Sequence, residues 1–472
     1  MRKYTIILLC LLMMPLTLGA QTLRGSYFLD NSLARTKLNP AFSPRANYFS
    51  IPVISNTGVG IYSNMGVSNF LYPMDGQLYT YLNQNVSVEQ FLKGLPKYPS
   101  FDLNFETDLI SFGFYTSPKA FWSFETGIAV DATVGIPRDF LEFTKRGMST
   151  GDATTYSLKG FNAFANASAY AAIGHSRDLS DVVAGLRIGA KLKVYVPLTY
   201  IGLDLGNSTM TLSGDKWMVN TDATGTIASS FLRMTPPAQA GEAPGFDINT
   251  SKIGPAGFGV GVDLGAEYRL SVGSVVDGLT FSVSVLDLGG YFFGKDNVQK
   301  LASQGSAAFE GFNDISFDED TNFEELLEGV KNDFLALADF EEVAGGSFSL
   351  GTRTTFNLGV EYPFLNDKMS VGLLYTLKSK YNKKDLFNEL TVSYNLNPCK
   401  WFNLGINWSF LNAYQTLGWI IEFTPKGGVD FFIGSDYTFF EVMPTKIPLP
   451  INKLWTNARF GLSFMLGSKH RD

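Results

Sequence analysis

The sequence predicts an all-β protein, a transmembrane antiparallel β-barrel of about fourteen strands, and three observations predict it. Apolar residues recur at a spacing of two along most of the chain, which is the period of a strand with one apolar face. The longest alternations exceed the five or six residues usual in a soluble β-sandwich and match the ~9 to 11 needed to cross a bilayer at a tilt. Across the 472 residues, charged side chains make up 17% and aromatic ones 14%, with 47 glycines and a mean hydropathy of only +0.05. That composition excludes a disordered chain. It also excludes a helical membrane protein, which would repeat apolar runs of about 20 residues.

The one apolar run stands at the start of the chain. Arg2 and Lys3 precede an apolar stretch from Thr5 to Leu18, and Gly19-Ala20 supply small residues before Gln21, so residues 1–20 read as a secretion signal cleaved after Ala20. The run is short and contains Pro15, which argues against a membrane anchor; the large Leu9 before Cys10 argues against a lipoprotein. The mature chain then carries 35 basic and 44 acidic residues, a charge of -9, with Cys399 as its only thiol. No basic block is present to neutralise a row of phosphates, so nucleic acid is excluded as a partner. A lone cysteine makes no internal disulfide and no structural zinc site.

Residues 21–46 come next and are too irregular for a spanning strand. Tyr27, Phe28, Leu29, Leu33 and Leu38 need shelter from water, while Pro40 and Pro44 disfavour a regular strand. The segment is therefore expected to fill the lumen as a hatch, with Asn39, Pro40, Ala41 and Phe42 as its candidate residues.

The barrel is expected over 47–467. The clearest strand is Val182, Ala184, Leu186, Ile188, Ala190, Leu192, Val194 and Val196, with Arg187, Gly189, Lys191 and Lys193 between them. Such a strand offers one face to lipid and one to a polar interior. The run Phe258 to Leu270 repeats the design, opposed by Gly257, Gly259, Gly261, Asp263, Gly265, Glu267 and Arg269. These glycines do not have the GxGxxG spacing of a dinucleotide site, and small residues on an inner face explain them. Arg187, Lys191, Lys193, Asp263, Glu267 and Arg269 are the candidate lumen-facing charges.

Strands are expected at 48–62, 101–116, 121–136, 161–175, 182–199, 257–270, 279–292, 351–362, 369–379, 386–396, 401–410, 416–424, 429–437 and 456–467. Segment 200–230 alternates weakly and reads as an external hairpin; if it spans instead, the count becomes sixteen. Outer-membrane barrels have short periplasmic turns and long outer loops. That rule puts the turns at 117–119, 176–181, 271–277, 363–367, 397–400 and 425–428 inside, and the segments 63–100, 137–160, 200–256, 294–347 and 438–455 outside. Residues 468–472 form a polar tail.

Two short helices are expected in the loops, Val88 to Leu92 after Ser87 and Asn322 to Leu337 after the capping box Thr321 to Glu324. Asp318, Asp320 and Asn322 fit the first positions of a calcium loop, but Phe323 and Gly329 stand where its Gly and last Glu belong, so an acidic solvated loop is the reading. Neither His175 nor His470 has partners placed for a catalytic triad, and no cofactor motif is present.

The chain resembles a family of Gram-negative outer-membrane barrels described only as a domain of unknown function. The resemblance rests on the order of Leu38-Asn39-Pro40-Ala41, Gly174-His175-Ser176-Arg177, Gly259 to Ala266, Leu286-Asp287-Leu288-Gly289 and Asn457-Ala458-Arg459-Phe460-Gly461. More remotely, the Asn-Pro-Ala element and the strand count are similar to the long-chain fatty-acid transporter superfamily, which includes outer-membrane partners of protein secretion and surface attachment. That resemblance implies an N-terminal hatch and passage of hydrophobic molecules. The chain ends in Lys-His-Arg-Asp rather than a terminal aromatic, leaving Phe460, Leu462, Phe464 and Leu466 to serve the assembly signal.

Two functions compete at this stage. One is a hatch-gated channel for small hydrophobic or amphipathic molecules; the other is a non-transporting scaffold whose outer loops hold a surface protein. A channel calls for a continuous apolar pocket behind the external loops, a scaffold for a packed interior. The ligand, the protein partner and the oligomeric state are not written in the sequence.

Overall fold

A computed structural model of the chain describes residues 23–467 apart from 31, 53, 75–76, 147–152, 214–215, 236–244, 274, 310–339, 380–385, 400, 412–413, 426–427 and 439–452. The signal segment, the 322–337 helix, the calcium-loop positions, His470 and the polar tail lie outside the described residues.

Fourteen antiparallel strands close into a barrel. The first, β1, is in two pieces, Asn47–Ser50 and Thr57–Gly66. There follow β2 (Ser100–Ser117), β3 (Ala120–Gly135), β4 (Asn162–Asp178), β5 (Leu186–Asp204), β6 (Gly257–Arg269) and β7 (Thr280–Phe293). The second half is β8 (Thr355–Phe364), β9 (Met369–Ser379), β10 (Leu386–Cys399), β11 (Phe402–Leu411), β12 (Tyr414–Phe423), β13 (Val429–Thr438) and β14 (Lys453–Leu466). Each pairs with its successor, and β14 returns to β1 through Asn47↔Leu466, Ser50↔Ser463 and Thr57↔Phe460. Closure leaves no strand edge without a partner in the ring, which is what a sheet in lipid requires. Leu192, Leu264, Leu373, Val392, Ile406 and Phe460 are exposed on the outer wall.

The alternative of sixteen spanning strands is overturned. β5 runs on to Asp204, and Thr209–Ser213 and Lys216–Ser229 then form a hairpin beyond the barrel rim. Three further boundaries differ from the sequence reading. β5 begins at Leu186 rather than Val182, because Gly185 turns the chain with φ +78 and a Cβ there would collide with the Arg269 carbonyl. β1 breaks at 51–56, where Pro52 has no N–H for the ladder. The expected strand at 351–362 divides into Phe348–Gly351 and β8, and the link Thr352-Arg353-Thr354 aims its two threonine hydroxyls at the Asp287 carbonyl.

β2 to β5 have 16 to 19 residues each, whereas β8, β9, β11, β12 and β13 have 10 or 11. The extra length exceeds a bilayer crossing and carries an outlying sheet at the long-loop end. Lys216–Ser229 is its centre, paired with Thr209–Ser213, with Val298–Phe309 and with the end of β5. Its core is apolar, with Tyr156, Leu158, Met210, Leu212, Val219 and Leu301 buried together. Nearby, helix α1 (Val88–Gly94) is capped by Ser87, whose hydroxyl accepts from Gln90 N at 3.1 Å. It packs Phe91 and Leu95 against Leu141 of α2 (Arg138–Arg146).

Candidate functional site

Residues 23–46 lie inside the ring. Apolar side chains in a polar lumen need apolar seats, and glycines on the inner wall supply them. Leu23 abuts Gly434, Tyr27 abuts Gly359 and Phe28 abuts Gly372, each closely enough that a Cβ on the glycine would clash. Tyr27 and Phe28 join Leu38, Phe42 and Leu374 in one buried cluster, and Leu23, Leu29 and Ala34 join Ile420 and Phe432 in another.

The Asn-Pro-Ala turn rests on a two-glycine patch. Gly189 of β5 and Gly265 of β6 are cross-strand partners. A Cβ on the first would strike the Pro40 carbonyl, and one on the second the Asn39 amide oxygen. With those side chains missing, Asn39 Nδ2 donates to the carbonyls of Ala266 and Val283, both at 3.2 Å, and its Oδ1 accepts from Ala41 N at 2.9 Å. Ser176 Oγ donates to the Ala41 carbonyl at 3.0 Å. Phe42 lies beneath the Arg35 guanidinium, 3.9 Å from ring centre to Cζ.

Charges complete the attachment. Lys37 Nζ sits 2.5 Å from Asp108, 3.3 Å from Glu106 and 3.6 Å from Glu125, with the Tyr170 hydroxyl at 3.0 Å. Arg35 pairs with Asp30 and stands 3.5 Å from Glu267. Arg24 Nη1 is 3.1 Å from Glu389 and also bonds the Tyr437 hydroxyl, while the backbone N–H groups of Arg24 and Gly25 donate to the two oxygens of Asp436 at 2.8 and 2.9 Å. Removing ions from water is costly; Lys37, Arg35 and Arg24 each have a carboxylate within ion-pair distance, and Asp436 is held by two backbone N–H groups.

The six lumen-facing candidates all enter ion pairs. Arg187 holds Glu267 at 2.9 Å and Asp178 at 3.3 Å; Lys191 holds Glu125 at 2.8 Å. Lys193 bridges Asp263 at 2.9 Å and Asp287 at 2.5 Å. Arg269 lies at the short-turn end beside Asp367, at 3.0 Å, and is partly exposed. Sequence reasoning missed Arg24, Arg35 and Lys37, and it missed the wall acids Glu106, Asp108, Glu125, Glu389 and Asp436. For Glu106 a signal existed: Asp102, Asn104 and Glu106 alternate with Leu103 and Phe105. His175 is engaged structurally, its Nδ1 3.1 Å from the Phe121 carbonyl and its ring against Trp122.

The segment stands between two cavities. The smaller opens among the short turns and is bordered by Phe28 and Asp30 of the segment with Arg187, Glu267, Arg269 and Glu361 of the wall. The larger lies toward the long loops and is bordered by Arg24, Lys37 and Leu38 of the segment. Its wall is charged and polar, including Glu106, Lys191, Lys193, Asp287, Arg353 and Lys378. Tyr195 and Tyr291 also border it, and with Tyr200, Phe293 and Phe348 they form an aromatic tier.

Asp287 marks a wall defect. β6 and β7 slip register between Val262 and Leu264, and Asp287 takes φ +55, in the left-handed region that costs a non-glycine residue about 1–3 kcal/mol. The Asp287 N–H donates to Asp263 at 2.7 Å and its carboxylate accepts from Lys193 and the Tyr195 hydroxyl, which together hold it there.

A closed antiparallel barrel of the outer-membrane type, occupied by its own N-terminal segment, is thus the class that fold and site define. The chain belongs to the family of unknown function DUF5723, whose profile matches residues 40–436. No curated protein matches the sequence. Among solved structures the chain is similar to the toluene transporter TodX of Pseudomonas putida, at 10% identity over 95% of this chain and 96% of that one with a TM-score of 0.43. It is similar also to the toluene transporter TbuX of Ralstonia pickettii, at 9% identity over 93% and 95% with a TM-score of 0.42. A FadL homologue of Pseudomonas aeruginosa gives 12% identity over 94% and 97% with a TM-score of 0.42.

Proposed function

We propose that the chain is exported by its signal segment to the outer membrane of a Gram-negative cell, and that it is a channel held shut there by residues 21–46 acting as a hatch. One observation carries this reading: the described part of that segment, residues 23–46, separates a cavity at the short-turn end from a larger one at the long-loop end. The short turns face the periplasm and the long loops the medium, as in other outer-membrane barrels. The solute is small and amphipathic. An aromatic tier followed by a charged chamber suits a molecule with an apolar body and a polar group better than a pure hydrocarbon.

Planar-bilayer recording tests the reading directly. Deleting residues 24–38 joins the two cavities and converts a closed barrel into one with steady conductance. Unchanged conductance in a deletion variant that still migrates as a heat-modifiable barrel would defeat it. That result would favour the second reading, a scaffold for a surface protein, which has its own support in the sheet that three long loops build beyond the rim.

A further inference from the structure

We infer that the larger cavity binds an anionic oxygen group, a carboxylate or a phosphate, at Lys378 beside Arg353 and Arg24. The inference rests on the channel reading for the route by which the anion arrives, and on the wall alone for its recognition.

Three elements bring the cations together. Arg24 belongs to the N-terminal segment, Arg353 to the link before β8, and Lys378 to β9, where it stands opposite Thr355. All three border the same cavity. Inward-facing Thr376, two residues earlier on β9, fixes the parity that turns Lys378 to the lumen.

The other basic groups at this cavity have carboxylates in contact: Lys37 with Asp108, Lys191 with Glu125, Lys193 with Asp263, Arg353 with Asp131 at 2.7 Å and Arg24 with Glu389. Lys378 enters no ion pair among the described residues. It is half-buried; Arg353 and Arg24 raise the cost of its charge, Asp131 and Asp287 offset part of that cost without coming into ion-pair contact, and low-dielectric surroundings magnify what is left. An anion offsets the cost. An ammonium beside a guanidinium offers the donors that carboxylate and phosphate oxygens accept from most strongly. Neutral neighbours such as Thr376 and Asn357 can accept from the ammonium but bring no opposite charge.

Equilibrium dialysis of the full mature chain in a neutral detergent, with radiolabelled inorganic phosphate, reads the site. Saturable binding is expected, and Lys378→Gln should weaken it roughly ten- to a hundredfold, the loss of a charged hydrogen bond, while Lys378→Arg keeps it. Competition then separates the sources: octyl phosphate displacing label far better than phosphate itself marks an amphiphile's head group, and equal displacement marks a free solute. Absence of saturable binding, or equal binding by wild type and Lys378→Gln, overturns the inference. Heat-modifiable migration confirms that each variant is a barrel. The channel reading fails separately, through the conductance of the 24–38 deletion, and phosphate can remain bound when it does.

Discussion

The two halves of the barrel wall neutralise their charges differently. On β3 to β7 the wall supplies both signs, as Lys191 with Glu125, Lys193 with Asp263 and Asp287, and Arg187 with Glu267. On β10 to β13 it supplies carboxylates among neutral hydroxyls and amides such as Thr391, Ser393, Asn395, Asn403, Asn407 and Ser409. There the acids Glu389 and Asp436 take their donors from the N-terminal segment, through Arg24 and Gly25. Without the segment Glu125, Glu267, Asp263 and Asp287 each keep a cation from the wall, whereas Glu389 loses its cation and Asp436 two backbone donors. The segment is therefore a structural part of one wall and a guest on the other.

That contrast can be broken by experiment. The largest effect is expected from deleting 24–38, which removes every donor to Glu389 and Asp436 that the segment supplies and opens the lumen; single-channel conductance reads it. Next comes Arg24→Ala, which leaves buried Glu389 without its cation at a cost of about 3–5 kcal/mol in the seating of the segment. Maleimide labelling of a Ser26→Cys reporter in a Cys399→Ser background should accelerate accordingly. Replacing Gly265 by Leu should unseat the Asn-Pro turn by about 1–3 kcal/mol, measured with the same reporter, through overpacking rather than charge. Lys37→Ala leaves buried Asp108 with only the Tyr170 hydroxyl at 2.7 Å, but Arg459 remains 2.5 Å from Glu106 and Lys191 remains on Glu125 beside it, so the reporter should be released less than by Arg24→Ala. If Lys37→Ala released the reporter as readily as Arg24→Ala, the two walls would be equivalent and the contrast would fall.

How much of this could be read from the chain depends on which atoms the period constrains. Alternation fixes the face of each strand residue, so Lys191, Lys193, Asp263 and Glu267 could be placed in the lumen from Leu192, Val262 and Leu264 alone. Partners across the lumen are another matter. Nothing local to Arg24 points to Glu389, and nothing local to Lys37 points to Asp108, because those contacts arise only when the ring closes. The break at 352–354 was equally silent, since Thr-Arg-Thr has ordinary strand propensity and the bend answers to Asp287 on another strand. The glycines gave a partial clue: their inward position was legible, but not that Gly189 and Gly265 meet to receive Asn39 and Pro40.

The bond between the Arg24 N–H and Asp436 spans 412 positions of sequence, and the ring itself is sealed by Asn47 against Leu466. Contacts so remote along a chain form late, because the entropy of gathering the intervening residues must be lost before they return anything. Leu23 and Leu29 therefore find their seats only when β12 and β13 arrive with Ile420, Phe432 and Gly434, just before the last strand. On the channel reading, seating of the segment and sealing of the ring would then follow one another at the end of assembly, so that the lumen would be filled about when it is enclosed.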